Sequence, residues 1–248
     1  MYLVCKDNPA FEETGLLIKA AKSLGIDVLY YSLPEWDDES YFIYGTRNFV
    51  LPQLYDERHV LRDMEYLYSY SFLLSIFNYE LFNHDAVIMP IGKLAGSWMA
   101  TSKLDFFIRP LDGNKSFTGF VVKSSELKSD LTYKLHINKW DLVVVAPAKE
   151  PPTEEYRFFC RIKEDEIKMV GCRYWPLPAV NDIPNFVTEK AKVFASRIFD
   201  EMTIGDCFVL DVFVDDDYNV SVGELNSWNS SAFYSIDPKN ILRMIFDR

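Results

Sequence analysis

The stretch that most limits what this chain can fold into is residues 208–231, FVLDVFVDDDYNVSVGELNSWNSS. Two arms rich in β-branched and aromatic residues flank an acidic, turn-forming run, and this pattern predicts a β-hairpin. Each arm carries one carboxylate among apolar neighbours, Asp211 on the first arm and Glu224 on the second. Because strand side chains alternate between two faces, burial of one face fixes the side on which each acid lies.

The register of this hairpin follows from the position of its turn. With the turn centred on residues 217–218, Asp215 is predicted to pair with Val220, and by the same count Asp211 pairs with Glu224. Like charges directly opposite each other destabilise a hairpin. The apolar neighbours on that face make the repulsion harder for water to relieve, so the pairing needs an explanation.

A bound cation would supply that explanation. Asn226 lies two residues beyond Glu224 on the same face, so Asp211, Glu224 and Asn226 would offer an all-oxygen site of the kind that suits Mg²⁺. Two other interpretations stay open. A register shifted by one residue would place the acids on opposite faces, or the face could be solvated with both charges exposed.

Composition and charge narrow the classes of function. Of the 248 residues, 49% are hydrophobic and 25% are charged, which is typical of a folded globular protein. The net charge of −11 argues against sequence-independent binding to nucleic acid and against binding to an anionic membrane. The N-terminus does not resemble a secretory signal, and polar residues interrupt the most apolar segment, 66–82, so a buried helix is predicted there rather than a membrane span.

Cysteine and histidine usage gives no pattern typical of a structural metal. The four cysteines form no CxxC pair and the three histidines are scattered, so we expect reduced thiols in a cytoplasmic protein. The aromatic content of 16% would accommodate a homodimer interface.

The order of predicted elements indicates two regions, 1–100 and 101–248. The first region predicts a small α/β lobe with a mostly parallel sheet. Its elements are a strand at 2–5, a helix ending at Gly25, a strand at 26–32, a strand over 40–51 with a Gly-Thr turn inside it, and a long helix over 56–82. The second region predicts α+β structure, with strands at 105–110 and 141–147, a hairpin over 155–175, a helix over 189–205 and the hairpin of 208–231.

A second informative stretch is residues 106–122, FFIRPLDGNKSFTGFVV. Arg109 sits within an apolar strand, where a guanidinium needs an anionic partner. The loop that follows could close over an anion, since glycines present backbone N–H groups while Lys and hydroxyl side chains add donors. Its candidate anion-binding residues are Lys115, Ser116, Thr118 and Gly119. A plain turn explains the loop equally well.

Two arginines lie on the arms of the middle hairpin. Arg157 and Arg173 are flanked by apolar or aromatic residues, so each is expected to point into a cleft. Surface salt bridges to neighbouring acids, among them Glu154 and Glu155, are the alternative.

In chain order, these features resemble the ATP-grasp superfamily over most of the chain. GELNS matches the family's E-x-N motif, Asp211 matches the acid on the preceding strand, FIRP resembles the strand that supplies a phosphate-binding lysine, and SFTG resembles the flexible phosphate loop. Arg109 stands where many members have Lys, which resembles a divergent, compact clade from bacterial and phage genomes. The resemblance implies a small α/β lobe followed by two α+β lobes that clasp a nucleotide.

The resemblance also implies roles for individual residues. Asp211, Glu224 and Asn226 would bind Mg²⁺, and Arg109 and Lys115 would contact the phosphates of ATP beneath the loop 112–119. The adenine would bind the hinge VVVAPAKE (143–150) through the N–H of Ala146 or Ala148, since Pro147 has none. Lys149 or Glu150 would contact the ribose, while Arg157 and Arg173 would lie near the phosphates or the acyl intermediate.

The activity implied is ATP-dependent ligation of a small-molecule or peptide carboxylate to an amine or thiol through an acyl phosphate. Arg47, in YGTRNF (44–49), could pair with the substrate carboxylate, although an ordinary strand and turn with a surface arginine explains this stretch equally well. An alternative is a nucleotide-binding module of the same fold that has lost ligation and acts through a protein partner. A metal-dependent phosphoesterase or nuclease ranks last, because the sequence offers neither a third convergent acid nor a basic surface.

Overall fold

The computed structural model describes most of the chain, and three sheets form within that part. The described residues are 2–5, 12–30, 40–50, 69–111, 116–128, 131–164, 166–201 and 207–246. Of residues 47 and 48 only the backbone is described.

The first sheet is parallel, as the sequence predicts. Its strands β1 (Tyr2–Cys5), β2 (Asp27–Tyr30) and β3 (Tyr41–Tyr44) lie in the order β2-β1-β3. Helix α1 (Glu12–Ser23) connects β1 to β2, and its buried positions recur at helical spacing on the side that faces the core. The helix is followed by Gly25, whose φ of 69° lies in the left-handed region that glycine adopts without strain.

The strand predicted over 40–51 ends at Tyr44, where the predicted Gly-Thr turn begins, and its continuation as a strand after that turn is wrong. The N–H of Gly45 donates to the carbonyl of Asn229 at 2.9 Å, and the chain then turns into a short helix, α2 (Arg47–Val50). This bond ties the end of β3 to a distant segment, which local sequence patterns do not reveal.

The long helix predicted over 56–82 falls partly outside the described residues. Its described part is α3 (Tyr70–Phe77), where the hydroxyl of Ser69 caps the start by accepting from the N–H of Phe72 at 3.3 Å. The α-helix ends at Phe77 because Asn78 has a φ of 44°, and a 3₁₀ turn follows over 78–80. The prediction that the helix continues to residue 82 is therefore wrong.

The second sheet is antiparallel, in the order β4-β7-β5-β6. Its elements are β4 (Val87–Pro90), β5 (Asp105–Pro110), β6 (Phe120–Lys123) and β7 (Leu142–Pro147), with helix α4 (Leu131–Leu135) between β6 and β7. β7 is buried over residues 143–146, as its continuous apolar run predicts. β4 shares this sheet although it precedes residue 101. The division at residue 100 stays a prediction.

The third sheet, also antiparallel, has the order β11-β10-β8-β9. Its elements are β8 (Glu154–Lys163), β9 (Glu166–Trp175), β10 (Cys207–Val214) and β11 (Val220–Asn226), and helix α5 (Asn185–Glu201) leads from β9 towards β10. These elements confirm the predicted hairpin over 155–175. The predicted end of the helix at Gly205 lies outside the described residues.

Apolar layers cover both faces of the third sheet. On one face α5 packs through Val187, Ala191, Phe194, Ala195 and Ile198, together with α3. On the other face lie α1, the segment after β11, and helix α6 (Pro238–Phe246). Together, the three sheets and their helices confirm the predicted α/β and α+β class. No helix in the described ranges combines the length and apolarity needed to cross a bilayer.

The turn end of the β10–β11 hairpin differs from the prediction by one residue. Val220 pairs with Val214, so the predicted pair Asp215–Val220 is wrong. Asp215 instead closes the turn, and its Oδ1 accepts from the N–H groups of Asp217 at 3.0 Å and Asn219 at 2.8 Å. These side-chain bonds stabilise the turn that follows the last ladder pair, together with the bond from the N–H of Asp215 to the carbonyl of Asn219 at 3.2 Å.

A bulge restores the predicted register further along. The ladder pairs Val212 with Val222 and Asp211 with Glu224. Gly223 is therefore the extra residue, and the prediction that Asp211 faces Glu224 is confirmed. A Cβ at Gly223 would lie 2.4 Å from Cζ of Phe213, so only glycine lets the bulge pack against that ring.

Candidate functional site

The hairpin brings two carboxylates and an amide into one hydrogen-bonded group. Asn226 Nδ2 donates to Asp211 Oδ2 at 3.0 Å and to Glu224 Oε1 at 2.9 Å. Asp211 is 1% exposed, whereas the side chain of Glu224 is 24% exposed. The one-residue register shift is thereby excluded, and so is a fully solvated face.

Arg157 neutralises Asp211 from the neighbouring strand. β8 pairs Arg157 directly with Asp211, and the guanidinium donates from Nε to Oδ1 at 2.8 Å and from Nη2 to Oδ2 at 2.7 Å. Burial alone would lower the pKa of Arg157, but the charge and hydrogen bonds of Asp211 raise it overall. The pair is a two-bond, charge-assisted contact that is closed to water.

Two tyrosines cover this ion pair. The guanidinium carbon of Arg157 lies 5.4 Å from the ring centroid of Tyr174 and 5.2 Å from that of Tyr234, and the two rings stack at 4.8 Å. Tyr234 has a φ of 52°, which is uncommon for a residue with a side chain. Burial, reinforced by the charge of Asp211, raises the pKa of Tyr174, so it stays a neutral phenol.

Arg109 reaches the same group from the second sheet. Its Nη2 lies 3.2 Å from Glu224 Oε2, and its side chain is 22% exposed. Asp211 and Glu224 therefore each have a guanidinium partner, and Asn226 bridges the two acids. This arrangement accounts for the like-charge pair that the sequence left unexplained.

The donor set fits Mg²⁺ chemically. Carboxylate and amide oxygens are the ligands Mg²⁺ prefers, and the ion usually takes only one or two carboxylates together with substrate phosphates and waters. The described residues contain no cluster of three or more His, Cys, Asp or Glu side chains that would form a complete metal cage. Glu224 and Asn226 are the better placed of the predicted ligands, since Asp211 is buried and already shared with Arg157.

Arg173 is not brought to this group. It pairs with Tyr156, the residue next to Arg157, so the alternation of β8 and β9 places it on the other face of the sheet. Its Nη1 donates to Glu154 Oε1 at 2.8 Å, and its side chain is 26% exposed. The salt-bridge alternative therefore describes Arg173, and its predicted place near the phosphates or the acyl intermediate stays a prediction.

The predicted phosphate loop lies beside Arg109 as far as it is described. Lys115 and residues 112–114 fall outside the described residues, and Ser116 and Thr118 are both exposed. A Cβ at Gly119 would lie 2.6 Å from the ring of Phe107 and 3.3 Å from Cβ of Arg109. Gly119 thus permits the close approach of the loop to the strand that carries Arg109.

The predicted adenine hinge uses its N–H groups within the sheet. The N–H of Ala148 donates to the carbonyl of Asp105 at 2.9 Å, which extends the β5–β7 ladder. Ala146 is fully buried within β7 and pairs with Phe107. A base that accepted from Ala148 would have to replace an existing bond.

Lys149 and Glu150 occupy different environments. Lys149 Nζ donates to the carbonyl of Phe82 at 2.6 Å and pairs with Asp85 Oδ1 at 3.0 Å, so it ties the hinge to the segment 82–85. Glu150 is exposed. Neither is brought to the acidic group of the hairpin.

A pocket of about 630 Å³ opens at the hinge end of the hairpin, within the size range of small-molecule sites. Lys149, Phe82, Phe213 and Tyr218 are among its lining residues. The rings of Phe82 and Phe213 meet edge to face at 5.2 Å. Phe213, which lines the pocket, lies two residues from Asp211 on the same face of β10.

Sequence reasoning did not assign a binding role to Phe82, Phe213 or Glu155. Glu155 pairs with Phe213 across β8 and β10, two residues from Arg157 on the same face. Burial raises the pKa of Glu155, a hydrogen bond from Tyr174 opposes this shift, and the charges of Asp211 and Glu224 add to it. The sequence does place Glu155 two residues before Arg157, and strand alternation predicts that both side chains lie on the same face.

Comparison with known families identifies the fold. Residues 85–244 match the model of a family described as an "ATP-grasp domain", the second family of one clade of these proteins, and the match covers more than half of the chain. The chain belongs to this ATP-grasp family. The resemblance inferred from the sequence is confirmed.

Solved ATP-grasp structures match nearly the whole chain at low sequence identity. A RimK domain ATP-grasp protein from Sphaerobacter thermophilus matches with a TM-score of 0.63 and 12% identity, covering 100% of this chain and 98% of that one. The D-cycloserine synthetase DcsG gives 0.61 and 12%, covering 100% and 99%. The ATP-grasp ligase PsnB, solved with a precursor peptide and AMPPNP, gives 0.59 and 12%, covering 99% and 97%. No curated protein matches the chain in sequence.

Proposed function

We propose that this ATP-grasp protein is an ATP- and Mg²⁺-dependent ligase that joins a carboxylate to an amine or thiol through an acyl phosphate. The observation that carries the proposal is the meeting of Arg109 with Glu224 at 3.2 Å, beside Asp211 and Asn226, at the junction of two sheets. Such a group combines phosphate-binding cations with metal-binding oxygens. Ligases among the matched folds support the assignment.

In this proposal the nucleotide lies along one face of β10, from the pocket at the turn end of the hairpin to Asp211 and Glu224. The base packs against Phe82 and Phe213, and the phosphates reach Arg109 together with Lys115. Glu155, which pairs with Phe213 across β8 and β10, accepts from the ribose hydroxyls, in place of Lys149 or Glu150.

Glu224 and Asn226 hold Mg²⁺, with Asp211 as the third predicted ligand. When bound, the ion neutralises phosphate charge during transfer. Arg157 fixes the Asp211 carboxylate, since both of its oxygens accept from that guanidinium. The Asp211 carboxylate is therefore held in place before the substrates arrive, and groups fixed in advance in this way lower the barrier to phosphoryl transfer.

The reaction proceeds in two balanced steps. A carboxylate oxygen of the substrate attacks the γ-phosphorus, the bond to the bridging oxygen breaks, and ADP leaves. The amine nitrogen or thiol sulfur then attacks the acyl carbon, phosphate departs with the electrons of the carbon–oxygen bond, and the nucleophile releases a proton. Positive charge from Arg109 offsets the charge that spreads over the transferring group.

Hydroxylamine offers a test that does not require the natural amine. Mg-ATP, hydroxylamine and pools of small carboxylates or carboxyl-terminal peptides are incubated with the protein, and ADP and hydroxamates are measured by mass spectrometry. We expect ADP release that depends on one class of carboxylate and forms its hydroxamate. Glu224→Gln should lower the rate by about 100-fold or more, as expected for loss of a group that organises transition-state charge.

Glu189→Gln is the matched control, because its carboxylate is 69% exposed and pairs with Lys192 on the surface of α5. One observation favours the alternative of a nucleotide-binding module: Asp211 and Glu224 already have guanidinium partners. Nucleotide binding without carboxylate-dependent ADP release would favour that module. Failure to bind any nucleotide at millimolar concentration would overturn both.

A further inference from the structure

We infer that Arg109 occupies the metal position at Glu224 until a nucleotide arrives, so that the divalent cation enters together with the nucleotide or after it. The inference rests on the proposed function and adds an order of binding to it. Its basis is the set of contacts that Glu224 makes with Arg109 and Asn226.

Both oxygens of Glu224 face hydrogen-bond donors. Oε2 lies 3.2 Å from Nη2 of Arg109, and Oε1 accepts from Nδ2 of Asn226 at 2.9 Å. A cation that approached Glu224 would have to displace the guanidinium or turn the amide. The Arg109–Glu224 pair is also partly open to solvent, with side chains 22% and 24% exposed, so it can exchange partners.

Asp211 is no more accessible to a free metal ion than Glu224 is. It is 1% exposed, and both of its oxygens accept from Arg157. Among the four groups Asp211, Glu224, Arg109 and Arg157, two negative and two positive charges sum to zero. Each of the two acids is thus paired with a guanidinium, which weakens its attraction for a free divalent cation, and Glu155 on the same face adds at most one further negative charge.

A nucleotide triphosphate changes this balance. Its phosphate oxygens are strong partners for a guanidinium, which they bind through paired hydrogen bonds. Once Arg109 turns to the phosphates, its place at Glu224 is open to another cation, and the added negative charge attracts Mg²⁺. Arg109 therefore has opposite effects on the two ligands: it favours the nucleotide and excludes the free metal.

Mn²⁺ is the probe for the test, because its free concentration can be read directly by electron paramagnetic resonance. Full-length wild type and Arg109→Gln are titrated with Mn²⁺ alone, and then with a non-hydrolysable ATP analogue in the presence of Mg²⁺. We expect Arg109→Gln to bind Mn²⁺ alone about threefold more tightly or better, as the loss of a partly exposed ion pair allows. Its affinity for the analogue should fall by about tenfold.

Arg197→Gln controls for the general effect of removing one positive charge. Arg197 lies on α5 and pairs with Glu80, and its side chain is 41% exposed. Adding Glu224→Gln to Arg109→Gln should abolish the gain in Mn²⁺ affinity, which would localise the gain to Glu224. Circular dichroism of each variant verifies the fold.

The inference is overturned if Arg109→Gln binds Mn²⁺ alone no more tightly than Arg197→Gln. If instead the wild type fails to bind the ATP analogue in the presence of Mg²⁺, the proposed function itself fails. The two failures are therefore distinguishable in the same set of titrations.

Discussion

The buried pair between Arg157 and Asp211 allows the sharpest prediction about stability. Arg157→Met would keep much of the side-chain volume and leave the carboxylate of Asp211 without its two short hydrogen bonds. Asp211 is 1% exposed, so water cannot replace them. Removing one partner of a buried ion pair costs about 3–5 kcal/mol, because the remaining charge is uncompensated.

For a chain of this size, each kcal/mol corresponds to about 2–4 °C in Tm, so Arg157→Met should lower Tm by about 6–20 °C. The double variant Arg157→Met with Asp211→Asn removes both charges. Its cost should be smaller than the sum of the two single costs by about 2–3 kcal/mol, which is the coupling expected for residues in direct contact.

Tryptophan fluorescence during thermal and urea unfolding measures these differences. Lys192→Met is the matched control, since Lys192 and Glu189 form an exposed pair on α5 and should contribute at most about 1 kcal/mol. If Arg157→Met lowers Tm no more than Lys192→Met does, the pair is not the buried anchor described above. Additive costs in the double variant would contradict direct coupling.

Three further predictions address the bulge, the pocket and the ion pairs between Glu80 and α5. Gly223→Ala should lower stability by about 1–3 kcal/mol in urea unfolding, because its Cβ would meet the Phe213 ring at 2.4 Å. Lys149→Met should weaken nucleotide binding about fivefold in calorimetry, because it releases the segment 82–85 that lines the pocket. Burial alone would raise the pKa of Glu80, but hydrogen bonds and charges from two cations of α5 lower it overall. The ion pairs of Glu80 therefore stabilise the folded protein above the unfolded-state pKa, and this stabilisation is lost as pH falls through the folded-state pKa. The Tm penalty of Glu80→Gln should therefore be full at pH 7 and fade below about pH 4.

Local sequence patterns predicted those helices and strands whose apolar residues recur with the regular spacing of a helix or a strand. The apolar stripe of α5 and the alternation of β10 both follow from burial of one face, so the helix and the Asp211–Glu224 pairing were predictable. The bulge at Gly223 was not, because it depends on where the ring of Phe213 packs. Two register errors at the turn and at the bulge cancelled, which is why the pairing was right although the pair Asp215–Val220 was wrong.

Arg173 shows a second limit of sequence reasoning. Its apolar and aromatic neighbours resemble those of Arg157, but the two arginines lie on opposite faces of the sheet. An irregularity between Glu155 and Tyr156 shifts the register of β8 and β9 near this point. Which face Arg173 occupies depends on that pairing, and composition around the residue carries no information about it.

Opposed carboxylates in an apolar hairpin predict a cation, but they do not predict which cation. Arg157, the partner of Asp211, lies 54 residues away in sequence on the neighbouring strand. Arg109, the partner of Glu224, lies 115 residues away on the second sheet, so no local motif could identify either pair. Their burial differs in a way that separates their roles. The pair of Asp211 with Arg157 is closed to water and is expensive to break, so it persists and fixes the geometry. The pair of Glu224 with Arg109 is partly exposed and inexpensive to break, so it is the pair that can exchange its cation when phosphates arrive.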